Sequence, residues 1–502
     1  MNNNVLKKNK IIVGIDLGTT YSLVSTIINN KVYFIRDEKN KYLFPSVVCY
    51  KNNEVFVGWD AIVNITKYPK NTITSVKRLI GLSIQEIKKL YPNIPYKFKT
   101  KKDNLCIKID NKLISVIDIL KEIFNHINSI VFNKFKKYIY QAVITVPAYF
   151  NDIQRKITKK AANLSNINVL RLINEPTAAA LSYGLSLKKN GIFAVYDLGG
   201  GTFDISILSF TNNIFEVLST KGNTNLGGDD FDNKLFNFII SKIKNYDIKN
   251  IKNNAKILNI AKMVKIKLSK KNKVTIKINN INVIITRKIF NNLISNLIKK
   301  TLLICQQAIR DASISYKNIK KIIMVGGSTC IPYVQKKVGV FFNKKILNFI
   351  NPKKVVAIGA SIHANLLSKK SLYKTHDFLL LDVISMSLGI ETIGGLFEHI
   401  VYKNTTIPVS KTKIFTTFKN NQKTMLIHVL QGNNKYVKNC KTLTKFVIKD
   451  LPMKPAGKIF IFVTFIINAN GILNINIREK KNNIKFNVKI NSKDTVLTKI
   501  ST

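Results

Sequence analysis

The chain has 502 residues, and 46% of them are hydrophobic, which is enough for two to four domains with substantial cores. Its formal net charge of +54 comes from 74 lysines and seven arginines against 27 acidic residues, with lysines in every segment. Proteins that read bases or phosphates usually rely on the bidentate arginine side chain, so this charge favours compositional drift over a specific nucleic-acid surface.

The sequence offers neither a membrane span nor a secretory leader. The most apolar short run, Ile459–Ile467, has nine residues, whereas a spanning helix needs about 18. The first ten residues are rich in Asn and Lys and lack the apolar stretch of a signal peptide. The five cysteines are dispersed without a CxxC pair or a Cys/His cluster, which gives no case for a metal site and fits reduced thiols. These features predict a cytoplasmic protein without a membrane partner.

Residues 11–375 alternate short apolar runs with helix-like stretches, a pattern typical of an α/β domain. The predicted strands include Ile11–Ile15, Ala142–Val146, Phe193–Tyr196 and Lys321–Val325, and the predicted helices include Val116–Phe135, Phe231–Lys244 and Lys288–Ala312.

The character of the sequence changes after residue 375. A short apolar piece, Phe378–Leu381, is bracketed by two aspartates and indicates either an interdomain linker that docks on a neighbouring surface or an ordinary strand. From residue 383 to about 490, short alternating strands separated by Gly and Asn predict an all-β domain. Asn468–Gly471, between two apolar runs, predicts a hairpin turn.

Two segments share the order strand, aspartate, glycine turn and hydroxyl residue: Asp16–Thr20 and, later in the chain, Asp197–Thr202. An aspartate at a strand end can face a hydrated cation, and the glycines after it let backbone N–H groups approach phosphate oxygens. A third turn, Gly326–Thr329, could lie against a nucleoside. Neither a GxxxxGK[ST] loop nor a GxGxxG turn is present. The duplicated pattern therefore predicts two loops that hold a polyphosphate from opposite sides.

Further motifs accompany these loops, and together they resemble the ATPase of the heat-shock protein 70 family. The motifs are Ala142–Asp152, Asn174–Ala180 and Gly227–Asp232. The resemblance covers about residues 10–490 and implies an actin-like (ribonuclease H-like) two-lobed ATPase followed by an all-β sandwich that binds peptides. The implied domains are the ATPase at 10–375, a linker at 376–382, the β sandwich at 383–492, and a short tail at 493–502 in place of the family's helical lid. Two stretches, Phe415–Phe418 and Val437–Leu443, are similar to the HscA branch, which serves iron–sulfur cluster assembly.

The resemblance also implies the site chemistry, with ATP and Mg²⁺ as cofactors and K⁺ as a second candidate ion. Asp16 and Asp197 would organise the Mg²⁺, while Lys77, Glu175 and Asp204 would act in hydrolysis, with Lys77 facing the γ-phosphate. The implied nucleotide-binding residues are Gly18, Thr19, Thr20, Tyr21, Gly199, Gly200, Gly201, Thr202, Gly227, Gly228, Lys265, Ser269, Gly326, Gly327 and Ser328.

A peptide cavity and a relay between the domains follow from the same resemblance. The cavity would be formed by Ile390, Ile393, Phe415, Phe418, Met425 and Ile427, although on pattern alone ordinary sandwich core explains such residues better. The relay would comprise Pro147, Arg155, Arg171, Leu379, Leu380, Leu381 and Asp382. The implied partners are a J-domain co-chaperone of the HscB type, an iron–sulfur scaffold protein of the IscU type and apolar extended peptides, with no specific nucleic acid and a monomeric chain.

Three positions depart from the family pattern around the adenine. Lys262, Cys330 and Lys353 stand where Glu, Arg and Asp are usual, so we expect a weaker adenine clamp and faster ADP release.

Three alternative functions remain open at this point: a general folding chaperone of the DnaK type, an actin-like kinase acting on a small molecule, and a nucleic-acid-binding module that uses the net charge.

Overall fold

The computed structural model describes residues 10–101, 104–184, 190–243, 247, 250–278, 281–347, 350–368, 379–479, 485–488 and 494–496. The chain divides into two compact units, the first comprising Met1–Tyr149 and Ile157–Leu380 and the second Phe150–Lys156 and Leu381–Thr502. The division after Leu380 lies inside the segment predicted as a linker, of which residues 376–378 fall outside the described residues. The grouping of Phe150–Lys156 with the second unit was not expected from the sequence.

The first unit is built on two sheets of the same design. In strand order, the first sheet contains Asn168–Asn174, Tyr138–Val146, Lys10–Asp16, Tyr21–Ile28 and Lys31–Phe34, and the second contains Ile346–Leu347, Ile319–Val325, Gly191–Leu198, Phe203–Thr211 and Ile214–Asn223. In each sheet the first three strands are parallel and the last two are antiparallel to their neighbours. This duplication confirms the predicted actin-like architecture, and the central strand of each sheet ends at or beside an aspartate, Asp16 or Asp197.

Smaller strands and the helices surround these sheets. The smaller strands are Phe44–Pro45, Val48–Lys51, Glu54–Val57, Thr72–Ile73, Lys97–Lys101, Asn104–Ile109, Lys112–Ser115, Lys273–Ile278 and Ile281–Thr286. The α-helices are Trp59–Ile62, Ile84–Leu90, Val116–Phe135, Asp152–Leu164, Glu175–Gly184, Gly228–Ile240, Ile251–Leu268, Arg287–Asp311, Pro332–Phe342 and Val355–Leu367. No helix among the described residues combines the length and apolar character that a membrane crossing demands.

Local sequence explains where these helices begin. Val116–Phe135 has the predicted bounds because Ser115 and Asp118 form a capping box at its start and apolar residues recur along one buried face. The predicted helix Phe231–Lys244 instead runs over Gly228–Ile240, since Gly227 of the preceding motif is its N-cap and Gly228 its first residue. The predicted helix Lys288–Ala312 runs over Arg287–Asp311, with Thr286 as its cap.

The second unit contains two facing sheets, antiparallel except for one terminal strand. One has the order Leu396–Val401, Ser387–Thr392, Met425–Gly432, Lys441–Ile448 and Asp494–Val496, and the other Val409–Thr416, Phe460–Ile467, Leu473–Glu479 and Lys485–Val488. Leu379–Val383 pairs with Thr406–Ile407. Alternate side chains of Phe460–Ile467 and Leu473–Glu479 are buried between the sheets, which confirms the predicted sandwich and its hairpin at Asn468–Gly471. Asp494–Val496, expected in a tail, forms a strand parallel to Lys441–Ile448.

Candidate active site

A cleft in the first unit brings together most of the residues predicted to act on a nucleotide. Predicted residues that line it are Asp16, Gly18, Thr19, Thr20, Tyr21, Lys77, Glu175, Asp197, Gly199, Gly200, Thr202, Lys265, Ser269, Gly326, Gly327 and Ser328. Leu43, Lys262, Ile266, Val325, Ile331, Pro352, Lys353 and Val356 also line it. Gly201, Asp204, Gly227 and Gly228 were predicted for the site but do not line this cleft.

The two Asp-Leu-Gly loops contact one another at the base of the cleft. A Cβ atom at Gly200 would lie 1.9 Å from the Thr20 hydroxyl, and one at Gly201 would lie 2.5 Å from the Thr19 side chain. Only glycine allows this approach of two loops from different sheets. Thr19 and Gly200 therefore face the same small volume, where backbone N–H groups and hydroxyls can surround an anion.

Gly227 and Gly228 lie behind the second loop. The Gly228 N–H donates to the Gly199 carbonyl at 3.0 Å, and a Cβ atom at Gly227 would lie 2.6 Å from the Gly200 carbonyl oxygen. These two glycines hold the loop against helix Gly228–Ile240. This packing accounts for glycine at both positions, and their contact with a nucleotide stays a prediction.

Lys77 lies on a single 3₁₀ turn, Val76–Arg78, and points into the base of the cleft. Its Nζ donates to the Leu17 carbonyl and to Glu175 Oε1, each at 2.5 Å, and the side chain is only 3% exposed. Glu175 is the first residue of helix Glu175–Gly184, where the helix dipole favours a negative charge. The pair places one cation and one carboxylate between the two loops.

Two further carboxylates, Asp16 and Asp197, line the base of the cleft, and a third, Asp204, is buried beside Asp197 without lining it. Burial, reinforced by the charge of Glu175, raises the pKa of Asp16 to about 7 despite the opposing charge of Lys77. Burial likewise raises the pKa of Asp197 well above its ordinary value, and neighbouring carboxylates, Glu175 foremost, add to the rise. Asp204 is paired with Asp197 on the neighbouring strand. It is buried, and it accepts a hydrogen bond from the Tyr149 N–H at 3.0 Å.

This crowding of carboxylates fits a bound cation. Repulsion among buried acids is relieved when a positive ion enters, and carboxylate oxygens are the ligands that Mg²⁺ prefers. Within the ranges that the structure describes, no three Asp, Glu, His or Cys side chains converge as a full metal cage would require. Mg²⁺ typically keeps several waters and binds one or two carboxylates plus phosphate oxygens, so Asp16 and Asp197 suit it.

Lysines gather at the other end of the cleft, around Tyr21. Lys265 Nζ donates to the Gly228 carbonyl and to Asp232 Oδ2, both at 2.8 Å, and so ties two helices together. Lys262 Nζ lies 5.6 Å from the centre of the Tyr21 ring, within cation–π range. Ser269 lies one turn beyond Lys265, and its hydroxyl donates to the Lys265 carbonyl at 3.4 Å. This end of the cleft is therefore lined by cations.

We expect ADP to leave this cleft quickly and the change Lys262→Glu to slow its release about fivefold. A carboxylate at this position can accept hydrogen bonds from a nucleoside, and one such bond contributes about 1 kcal/mol. Stopped-flow release of a fluorescent ADP measures the rate. Lys267→Glu, on the exposed face of the same helix, is the matched control and should leave the rate unchanged. Slow release from the wild type, or equal effects of both changes, would contradict the expectation.

The predicted peptide-cavity residues fall into two groups in the second unit. Ile390, Met425 and Ile427 are buried in the sandwich core, and Phe415 packs partly buried against it. Ile393 and Phe418 are 68% and 66% exposed. The core interpretation therefore accounts for the first group but leaves the two exposed side chains without a packing role.

The predicted relay residues are divided between the two units. Pro147 is buried after strand Tyr138–Val146, and Arg171 lies in strand Asn168–Asn174. In the first unit, the Leu379 N–H donates to the Asn213 carbonyl at 3.2 Å, with Leu380 next in the strand. Their relay role remains a prediction.

In the second unit, two of the three predicted relay residues form side-chain hydrogen bonds. Arg155 is buried, and its guanidinium donates to the Phe150 and Asn470 carbonyls at 3.2 and 3.3 Å. Leu381 is half-buried, and Asp382 is buried with its carboxylate accepting from the Val383 N–H at 2.8 Å.

Sequence reasoning missed Arg78, which is buried beside Lys77 and hydrogen-bonds to Asp230 and to the Gly201 carbonyl. The available signal was composition. Arginine is scarce in a chain that uses lysine nearly everywhere, and a guanidinium makes contacts that an ammonium cannot.

Comparison with known proteins bears directly on this cleft. The sequence model of the family described as "Hsp70 protein" matches residues 12–501. The chain is 50% identical over 493 residues to "Chaperone protein HscA" of Buchnera aphidicola subsp. Baizongia pistaciae, covering 97% of this chain and 96% of that protein. It is 47% identical over 471 residues to the HscA of Buchnera aphidicola subsp. Acyrthosiphon pisum (94% and 77% covered), and 43% identical over 484 residues to the HscA homolog of Pasteurella multocida (96% and 78%). Because the family model and these relatives span nearly its whole length, the chain belongs to the Hsp70 family.

Proposed function

We propose that this Hsp70-family chaperone hydrolyses ATP in the cleft of its first unit and uses the cycle to bind and release apolar peptide segments on its β sandwich. The observation that carries the proposal is the contact of two Asp-Leu-Gly loops around the buried Lys77–Glu175 pair. Phosphoryl transfer requires mainly positioning and charge stabilisation, and this arrangement supplies both.

Each group at the base of the cleft has a definite proposed task. The N–H groups of the glycine loops and the hydroxyls of Thr19, Thr20 and Thr202 bind the phosphate oxygens. Lys77 compensates the charge of the terminal phosphate, and Glu175 orients the attacking water. Mg²⁺, when bound at Asp16 and Asp197, would neutralise phosphate charge.

We further propose that the chaperone serves iron–sulfur cluster assembly. The support is the similarity to proteins named HscA and the stretch Phe415–Phe418. The partners proposed on that basis are a J-domain co-chaperone of the HscB type and a scaffold protein of the IscU type.

The test is the ATPase rate of the full chain with the scaffold protein, with its Leu-Pro-Pro-Val-Lys-like peptide, and with a generic apolar peptide. We expect hydrolysis that EDTA abolishes and that the scaffold and its peptide stimulate more than the generic peptide. Equal stimulation by both peptides would indicate a general folding chaperone. Stimulation by a sugar or acetate, without any effect of peptides, would indicate a small-molecule kinase and overturn the proposal.

We expect Phe418→Ala to raise the peptide Kd about tenfold without lowering the melting temperature. The Phe418 side chain is 66% exposed, so its removal leaves no cavity in the sandwich, whereas burying a phenylalanine against a ligand contributes about 1.5–3 kcal/mol. Fluorescence anisotropy of a labelled peptide measures the Kd. The matched control is Leu426→Ala, because Leu426 is 57% exposed and, by strand alternation, faces away from Met425 and Ile427. Equal losses of affinity in both variants would count against a cavity at Phe418.

A further inference from the structure

Arg78 forms a buried polar cluster behind the cleft. Its side chain is 5% exposed, and both terminal nitrogens hydrogen-bond to the Asp230 carboxylate, one of them at 3.3 Å. Its Nε donates to the Gly201 carbonyl at 3.0 Å and lies 4.0 Å from Asp229 Oδ2. All five donors of a guanidinium lie in one plane, so one side chain can satisfy these partners together.

The partners of Arg78 belong to the second phosphate loop and to the helix behind it. Gly201 is part of the loop itself. Asp230 Oδ2 also accepts the Gly227 N–H at 2.7 Å, and the Asp229 N–H donates to the Gly200 carbonyl at 2.8 Å. Arg78 is thus bonded to the loop directly and through the first turn of helix Gly228–Ile240.

The turn that carries Lys77 is fixed to the same helix at its other end. The Ser75 hydroxyl donates to Asp229 Oδ2 at 2.7 Å, and Ser75 has a left-handed backbone with φ of +52°. A serine in this region costs about 1 kcal/mol or more and persists only when its surroundings hold it. Ser75 and Arg78 therefore hold both ends of the turn, and Lys77 lies between them.

We propose that Arg78 is a positioning residue for ATP hydrolysis. It aligns the Lys77 ammonium, which comes from one sheet's side of the cleft, with the phosphate-binding loop of the other sheet. Arg78 does not line the cleft and acts only through Lys77 and the loop around Gly201. This inference rests on the proposed ATPase function.

The choice of side chain supports this role. A lysine could reach one of the three acceptors but could not bond to Asp230 in bidentate fashion and to Gly201 as well. In a chain with 74 lysines and seven arginines, the guanidinium stands at the point where three acceptors from two elements converge.

The test compares Arg78→Lys with Arg310→Lys, the same change at an exposed arginine of the first unit. Single-turnover hydrolysis of prebound ATP gives the chemical rate, and calorimetry gives the ATP Kd. We expect Arg78→Lys to lower the rate about tenfold or more, since misplacement of reacting groups by about 1 Å can cost 100-fold, while the Kd changes less than about threefold. Arg310→Lys should match the wild type in both.

Asp230→Asn is an isosteric change that weakens the contact between Arg78 and the Asp230 carboxylate. This variant keeps the test decisive if Arg78→Lys does not fold. The double variant should be no slower than the slower single variant, because both changes break the Arg78–Asp230 contact. Multiplicative losses, a rate within about twofold of an active wild type, or a rate loss matched by an equal loss of affinity would each overturn the proposal. A wild type without ATP hydrolysis would overturn the proposed function instead, and this inference with it.

Discussion

Replacing Lys77 by alanine should lower the rate of ATP hydrolysis by at least about 100-fold while the chain still binds ATP. The ammonium is buried at the base of the cleft, and in the proposed function it faces the transferred phosphate. Removing one preorganised donor of this kind typically costs about 100- to 1,000-fold in rate. In the proposed function the loop glycines and hydroxyls bind the phosphates, and the change leaves them in place. A coupled phosphate-release assay measures turnover, and calorimetry with ATP measures binding.

Two controls make this result specific. Lys300→Ala removes an exposed lysine of the same unit and should leave turnover unchanged. Lys77→Ala also leaves Glu175 buried without this cation, and breaking a buried ion pair costs about 3–5 kcal/mol, so thermal unfolding must confirm that the variant is folded at the assay temperature. Turnover that survives in a folded Lys77→Ala chain would show that the assigned role is wrong.

The sequence was sufficient for the duplicated fold because the signals there are local. Each Asp-Leu-Gly turn directly follows a buried strand, and each strand occupies the same place in its sheet. The site was harder to predict, since a motif shows that a glycine is needed without showing what approaches it. Gly200 lines the cleft, whereas Gly227 is needed for the packing of one loop on another. In the sequence, Gly200 and Gly227 both appear only as members of a glycine-rich turn.

The lysine-rich composition makes other residues of the site hard to predict. Lys262 and Lys353 line the cleft, but in a chain with lysines in every segment neither stands out without a family pattern. Local periodicity does not indicate Arg78, because its partners come from a loop and a helix more than a hundred residues later.

Replacing Gly359 by alanine should destabilise the first unit by about 3 kcal/mol or more, although alanine is the better helix former. Gly359 lies in helix Val355–Leu367, which packs on helix Glu175–Gly184. A Cβ atom at this position would lie 1.7 Å from the Ala178 carbonyl oxygen and 2.4 Å from its carbon. These are backbone atoms of a buried helix and cannot rotate away, so the helices must separate and lose packing along their shared face. Glu175 begins the displaced helix, so hydrolysis should fall as well.

Gly339→Ala is the matched control, and the two substitutions should have opposite signs. Gly339 also lies inside a helix, Pro332–Phe342, but the nearest atoms to an added Cβ belong to the Ile346 side chain and the Lys344 carbonyl, none closer than 3.6 Å. There the helix propensity of alanine acts unopposed and should stabilise the unit by roughly 0.5–1 kcal/mol. Chemical denaturation of both variants measures the difference. If both changes stabilised the protein, the close approach at Gly359 would be wrong. If both destabilised it equally, the effect would be a general property of helical glycines. The close approach of Gly359 to Ala178 would then contribute nothing specific to stability.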